Sequence, residues 1–470
     1  MVYIRGAGLT IHYDNLLTYL FELLSFVLIM IILSGRREAR ANLSWVLAVI
    51  LFPVVGALAY LIFGNPRLKN IVEKRMKRYP FLDRTICKDK RCEVDVGELG
   101  RLITKVTGMH PVRCLNLKLI SDAAEKYDLL ERDIVSAKNY ILMEYYLFRD
   151  DSVGRHFASL LEQKAREGVC VYFMVDGWGS MGLILTSLMK RLRKAGVKTA
   201  VFHSPFGLRT ASRVNFRNHR KIAVIDGRIA YMGGMNIGHE YQEWADAHLR
   251  FEGNAVNSVA GYFAEDWMFA TGGDISENIL VPKGMDCGDR TVHIIPSGPH
   301  QTTPMIYDSL FTVMNRARHS IDIITPYLVP NQPMMEVLKN ISKQGIKVRI
   351  VVPGKNNHPI IAAAGRSYYE ELIEAGVIIY EAKDKMIHAK IITIDGIWTT
   401  VGSANMDTRS FRLNFELNLM VYSAEFAEQV KNLILHYISM SESVALDELK
   451  KRPFYVRVFE GGCRSLGPVL

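Results

Sequence analysis

Two histidines in this chain are each followed, two positions on, by a lysine: His219 with Lys221, and His388 with Lys390. The stretches are NHRKIAVIDGRIAYMGGMN (218–236) and IHAKIITIDGIWTTVGSAN (387–405). An Asp-Gly pair follows each lysine (Asp226, Asp395), and each copy closes on Asn236 or Asn405 at the same offset. Two imidazoles in one pocket can divide labour, one attacking as a nucleophile while the other protonates the leaving group. Two lysines and two asparagines add fixed positive charge and donors, which suits a phosphodiester whose negative charge spreads in the transition state. No carboxylate metal cluster and no H-E-x-x-H pattern occurs in the sequence, so the lysines are expected to act where a metal acts elsewhere, with no metal or cofactor. The Gly-Lys of VPGKNN (352–357) is not a P-loop, because Asn356 stands where Ser or Thr is required. A nucleoside triphosphate donor is therefore not expected.

These side chains need strands to aim them. Along a strand alternate residues share a face, so His219 and Lys221 point one way, as do His388 and Lys390. Asp-Gly is the strongest short hairpin signal. With Asp226-Gly227 and Asp395-Gly396 as two-residue turns, His219 faces Gly234 and His388 faces Ser403. On this reading the aspartates hold the turns and do not act on substrate. A working histidine also needs a carboxylate on its other nitrogen to orient it. Asp246 and Glu416, which follow the two asparagines at nearly equal distance, are the candidates; the competing reading makes them surface carboxylates.

The repeat extends beyond the motifs. AKNYILMEYYLF (137–148) and REGVCVYFMVDG (166–177) have counterparts in ARHSIDIITPYLVP (317–330) and KQGIKVRIVVPG (343–354). Short β-branched runs alternate with amphipathic segments, so each half reads as an α/β unit around a largely parallel sheet. The halves are placed at 109–280 and 281–446, packed about a pseudo-twofold axis like a fused dimer, each bringing one motif to a shared site.

The remaining segments concern location. Hydrophobic residues make up 49% of the 470, and the formal charge is +10, which points to an anionic partner. Two apolar runs within 1–67, at about 16–34 and 43–63, are each long enough to span a bilayer as a helix and form an expected transmembrane hairpin, with Pro53 and Gly56 marking a kink or close helix contact in the second. Lys and Arg after the second run place the catalytic region in the cytoplasm, against the weaker vote of Arg36, Arg37 and Arg40. Residues 68–108 read as a basic juxtamembrane linker or an ordinary solvated helix. The basic, aromatic tail 447–470 reads either as a segment lying in a membrane interface or as an element packed on the core. Six scattered cysteines with no C-x-x-C pair read as reduced thiols.

The paired H-x-K-x4-D motifs, each followed by G-[GS]-x-N, resemble those of the phospholipase D superfamily. YLIFGNPR, WADAHLRFEG, PSGP, ITPYLVP and SFRLNFELN extend the likeness to bacterial membrane-anchored cardiolipin synthases over nearly the whole chain. The resemblance implies two phospholipase D-like α/β sandwich domains in the bacterial cytoplasmic membrane. It also implies transfer of a phosphatidyl group between two phosphatidylglycerol molecules, with release of glycerol, through a phosphohistidine. Carried over, His219, Lys221, Asp226, His388, Lys390 and Asp395 form the catalytic motif set, while Asn236, Asn405 and Ser403 grip phosphate. Gly234, opposite Ser403 in the repeat, departs from symmetry. A hydrolase or nuclease of the superfamily and a non-catalytic scaffold for anionic lipids are the other readings. The apolar runs disfavour nucleic acid as a partner, and two intact motifs disfavour a scaffold.

Overall fold

The computed structural model describes residues 13–35, 39–63, 96–204, 216–275, 288–301, 303–383, 385–465 and 467. Most of the expected linker, 68–95, and Arg36 and Arg37 lie outside them. The described residues fall into two compact units.

The first unit holds helices α1 (Tyr13–Ser34), α2 (Ala39–Leu51) and α3 (Pro53–Phe63), packed through Leu28, Ile32, Val49, Ala57 and Tyr60. The apolar run read as one span over 43–63 is instead broken at Phe52. Proline at the first position of α3 has no N–H to continue the α2 ladder. Glycine at 56 lets the chain turn back so closely that a Cβ there would lie 2.2 Å from the Ala48 carbonyl oxygen. The Trp45 and Tyr60 rings meet at 5.5 Å, so α3 returns along α2. Side chains of α1 before Glu22, Tyr19 apart, are outside the described residues. Among the described residues no helix is long and apolar enough to cross a membrane.

The second unit is built on one sheet of fifteen strands. Its first half supplies β1 (Val112–Ile120), β2 (Tyr140–Tyr145), β3 (Cys170–Asp176), β4 (Lys198–Phe202), β5 (Lys221–Ile225), β6 (Ile229–Gly233) and β7 (His248–Glu252). The second half supplies β8 (Arg290–Ser297), β9 (Ser320–Ile324), β10 (Leu328–Val329), β11 (Lys347–Pro353), β12 (Ile378–Ala382), β13 (Ile391–Ile394), β14 (Trp398–Gly402), β15 (Met406–Asp407), β16 (Glu416–Tyr422) and β17 (Ser441–Ser443). From the centre outward one side runs β1-β7-β6-β5-β2-β3-β4 and the other β8-β16-β14-β13-β9-β11-β12-β17, while β10 and β15 pair separately. Equivalent strands occupy equivalent places, so the pseudo-twofold axis passes between β1 and β8, which pair antiparallel at Val112 and Val292.

Each half is mixed rather than largely parallel. Strands β2-β3-β4 and β9-β11-β12 are parallel, but the strands nearer the centre are antiparallel. The Asp-Gly hairpins cause this, because a tight turn can join only antiparallel neighbours. Strands β5 and β13 are buried along their whole length, as inner strands covered on both faces must be.

The helix Gly97–Thr107, inside the expected linker, is part of this unit: Ile103 is buried in the second half's core and Glu98 pairs with Arg316 at 2.7 Å. The tail is also folded. Helices Leu446–Lys450 and Phe454–Ser465 anchor on the same core through Leu449 and Cys463, and Arg464 lies over the Tyr368 ring at 4.2 Å.

Candidate active site

Each histidine stands just before its inner strand, and each is held by the other half of the chain. The His219 N–H donates to the Phe415 carbonyl at 2.9 Å, and the His388 N–H donates to the Ala245 carbonyl at 2.7 Å. The next residue along supplies the carboxylate. His219 Nδ1 lies 2.9 Å from Glu416 Oε2, and His388 Nδ1 lies 2.6 Å from Asp246 Oδ2. The pairing is crossed: first-half histidine to second-half glutamate, second-half histidine to first-half aspartate.

The neighbours assign the protons. His219 Nδ1 faces two acceptors, the Glu416 carboxylate and the Ser403 carbonyl at 3.1 Å, so it carries the hydrogen and leaves the Nε2 lone pair available. At His388 both the Asp246 carboxylate and Lys390 Nζ, at 2.9 Å, approach Nδ1. Ionised Asp246 can only accept, which makes Nδ1–H the donor, and Lys390 gives its own hydrogen bond to the His388 carbonyl. Lys221 does the same to the His219 carbonyl at 2.6 Å.

Burial sets the charges. It draws the His219 imidazole down to about 4, against the opposing pull of Glu416. It draws His388 to about 3, with Lys390 adding to the effect and Asp246 opposing it. Both rings are thus neutral near pH 7. Burial also lowers Lys221 to about 7 and Lys390 to about 8. Desolvation pushes the Asp246 and Glu416 carboxyls up, but the histidines and lysines outweigh it and hold both below the usual range. The charge of Lys390 acts on His219 and on Lys221, and that of Lys221 acts on His388. The four groups therefore lie close enough to influence one another's charge.

The hairpin register differs by one residue from the two-residue reading. Ile225 pairs with Ile229, and Ile394 with Trp398, so each loop has three residues. Asp226 and Gly227, and likewise Asp395 and Gly396, have left-handed backbones, and the residue after them is left over as a bulge. Consequently Ser403 does not face His388; its carbonyl meets His219 instead. Asp226 accepts from the N–H groups of Lys138, Asn139 and Tyr140, and Asp395 from those of Arg318, His319 and Ser320. Both aspartates thus tie the hairpin tip to the start of a neighbouring strand, at the end of the hairpin away from the histidines.

Asn236 is buried, and its Oδ1 accepts from the Leu147 N–H at 3.2 Å, which leaves its amide group to donate. Asn405 is buried as well, and its Oδ1 has no partner among the described residues. Ser403 Oγ donates to Glu416 Oε2 at 2.6 Å.

Three features escape a reading of motifs alone. Tyr146, after β2, lies edge-on to His219 with centroids 4.8 Å apart, and Trp244 lies 5.1 Å from His388. Both aromatics come from the first half: Trp244 opens the stretch WADAHLRFEG, whose likeness gives the tryptophan no role, and Tyr146 lies in EYYLF, which carries no spacing signal. Behind His219 a buried polar cluster fixes the segment. The Asn218 side chain meets Glu144, Arg220 Nη1 meets Asp266 at 2.5 Å, and Arg220 Nε reaches the Glu416 carbonyl at 3.1 Å. Arg220 thereby ties the first motif to the residue that orients its histidine.

Comparison with known proteins gives the family. The family described as "Cardiolipin synthase, PLD-like domain" matches residues 130–267 and 310–438. The family described as "Phospholipase D-nuclease N-terminal" matches 23–65. The chain is 32% identical to cardiolipin synthase 1 of Bacillus cereus, over 97% of this chain and 95% of that one. It is 34% identical to a cardiolipin synthase of Geobacillus kaustophilus, over 95% and 92%. It is 32% identical to the major cardiolipin synthase of Bacillus subtilis, over 97% and 99%. Among solved structures, a phosphatidylserine synthase of Haemophilus influenzae shares the fold, with a TM-score of 0.62 at 14% identity, covering 80% of this chain and all of that one. The chain belongs to the bacterial cardiolipin synthases, phosphatidyl-transferring enzymes built on two phospholipase D-like domains.

Proposed function

We propose that the enzyme moves a phosphatidyl group from one phosphatidylglycerol to the hydroxyl of another, giving cardiolipin and glycerol, with His219 as nucleophile and His388 as acid and base. The crossed carboxylates carry this reading, because they hold Nδ1–H on both rings and leave both Nε2 atoms to the pocket. His219 Nε2 attacks phosphorus, and the bond from phosphorus to the glycerol oxygen breaks. The bound phosphodiester anion favours the imidazolium form of His388, which gives its proton to the departing oxygen. His388 then takes the proton of the second lipid's hydroxyl as that oxygen attacks phosphorus, and the bond to His219 breaks. Lys221, Lys390, Asn236 and Asn405 hold the phosphoryl oxygens, Ser403 steadies Glu416, and Asp226 and Asp395 keep the hairpins in place. One phosphodiester replaces another, so no nucleotide is needed.

Phosphatidylglycerol supplied alone to the purified protein should yield cardiolipin and glycerol in equal amounts, read by lipid mass spectrometry, with little effect of chelator. Accumulation of phosphatidic acid would make water the acceptor and the protein a hydrolase. The likeness of 23–65 to the N-terminal family and the basic residues after 63 support attachment to the cytoplasmic membrane with the catalytic unit inside. A C-terminal tag should then survive protease added to right-side-out cells, and its digestion would overturn the assignment.

A further inference from the structure

The helix Phe454–Ser465 turns one face to the protein and another away from it. Glu460 and Cys463 are buried, and Glu460 pairs with Arg452. The outward face carries Phe454 at 75% exposure, Tyr455 at 73%, Val458 at 56% and Phe459 at 59%. At about 100° per residue these four fall within one stripe. Phe454 and Tyr455 are the most exposed large apolar side chains described in the catalytic unit. Such a stripe is costly in water, and aromatic rings of this kind favour the boundary between headgroups and acyl chains.

The charges around the stripe indicate what covers it. Lys450, Arg452 and Arg464 are engaged by Glu374, Glu370 with Glu460, and Glu371. Lys451 and Arg457 are exposed and make no ion pair among the described residues. Arg457 borders the stripe, about one-sixth of a turn from Phe454. Exposed aromatics beside unpaired cations complement an anionic bilayer surface, where the rings enter the interface and the cations meet headgroup phosphates. A second copy of the chain would need acidic groups to meet those cations.

We infer that this helix is a second membrane contact, separate from the N-terminal segment, which seats the catalytic unit on an anionic lipid surface. Cys463 and Arg464 fasten the helix to the second half, and Leu449 fastens the short helix before it, so docking fixes the orientation of the site toward its lipids. The inference requires only lipid contact and is independent of which reaction the histidines perform.

The test uses the full chain, with its other accessible cysteines replaced by serine, reconstituted in bilayer nanodiscs containing phosphatidylglycerol. An environment-sensitive fluorophore is placed at Tyr455→Cys or Phe459→Cys, with Gln163→Cys on the first half as the control. Spin-labelled lipids with the quencher near the headgroup should strongly quench both tail positions and leave the control bright. Equal quenching at all three positions, or none at the tail, overturns the inference. So does protection that appears in detergent only as protein concentration rises, which would assign the face to a second copy. In parallel, Phe454→Ser/Phe459→Ser should keep the melting temperature and lose turnover several-fold on vesicles, while dispersed short-chain lipid is used as before. Equal loss on both substrates would also overturn it.

Discussion

The carboxylate of Asp246 fills the space that a side chain at position 234 would need: a Cβ on Gly234 would lie 2.1 Å from Asp246 Oδ1. In the other half Ser403 occupies the matching position and donates to Glu416 at 2.6 Å. The hydroxyl missing from the first half is replaced by the Ala247 N–H, which donates to Asp246 Oδ1 at 2.7 Å. Glycine with aspartate and serine with glutamate are thus two complementary solutions to one packing problem.

Making the halves alike should therefore damage the enzyme. Gly234→Ser would push Asp246 off His388 and lower kcat by about 10–100-fold, the usual cost of losing such a supporting contact. Ser403→Ala removes one hydrogen bond to a charged group and should cost less. A Gly234→Ser enzyme with wild-type kcat would refute the packing argument.

The crossed pairing makes a sharper claim. Glu416→Gln should reproduce the defect of His219→Ala, and Asp246→Asn that of His388→Ala, although each carboxylate lies in the opposite half. An amide that donates to Nδ1 moves the proton to Nε2, and a loss of about 10²–10⁴ in kcat follows, as for other carboxylate–histidine pairs. Labelled phosphatidyl should accumulate on protein in the Asp246→Asn and His388→Ala variants and stay absent from the other two. The opposite partition would exchange the histidine roles; activity retained in either histidine variant would end the two-histidine mechanism.

Acid and alkali should act through different residues. Below about 4 His219 takes up a proton and loses its lone pair, while above about 7 and about 8 Lys221 and Lys390 lose their charge. In the free enzyme, which kcat/KM reports, His388 titrates near 3 yet must carry a proton to act as acid. The ratio should therefore fall as pH drops below about 4, decline about tenfold per unit above that, and fall more steeply still as pH rises through 7 to 8. A bound phosphate anion favours charged lysine, so the alkaline limb of kcat should lie higher. Coincident limbs in the two profiles would count against a lysine–phosphate contact.

Stability should follow the histidines. Unfolded histidine titrates near 6.5, and the folded rings near 4 and 3. Between those values the unfolded chain binds more protons, so stability is full above 6.5 and drains away as pH falls toward 3. Thermal melts from pH 7 to 4.5 should drop less steeply for His219→Gln/His388→Gln than for the wild type. Parallel slopes would show that other groups dominate.

Much of this site is legible in the residues themselves. Strict spacing marked both motifs, and the need for a carboxylate partner singled out Asp246 and Glu416. Which carboxylate serves which histidine is not legible, because that depends on how two halves meet rather than on any local pattern. Register failed by one residue for a local reason: Asp-Gly marks the turn but not the extra residue, Arg228 or Ile397, that follows it. Tyr146 and Trp244 lie outside the motifs and reach the histidines only through the packing of the sheet. Pro53 and Gly56 mark the kink and the close helix contact near Phe52, but hydropathy, which stays uniform there, does not show that the run divides into two helices.

Arg220 and the crossed carboxylates also bear on how such a chain changes over generations. A duplicated domain ordinarily leaves each copy free to drift, since the other still works. Here neither copy owns a complete histidine, so a substitution near Glu416 is felt at His219 and one near Asp246 at His388. The two halves inherit as one unit, and their differences, such as Gly234 against Ser403, can persist only in matched sets.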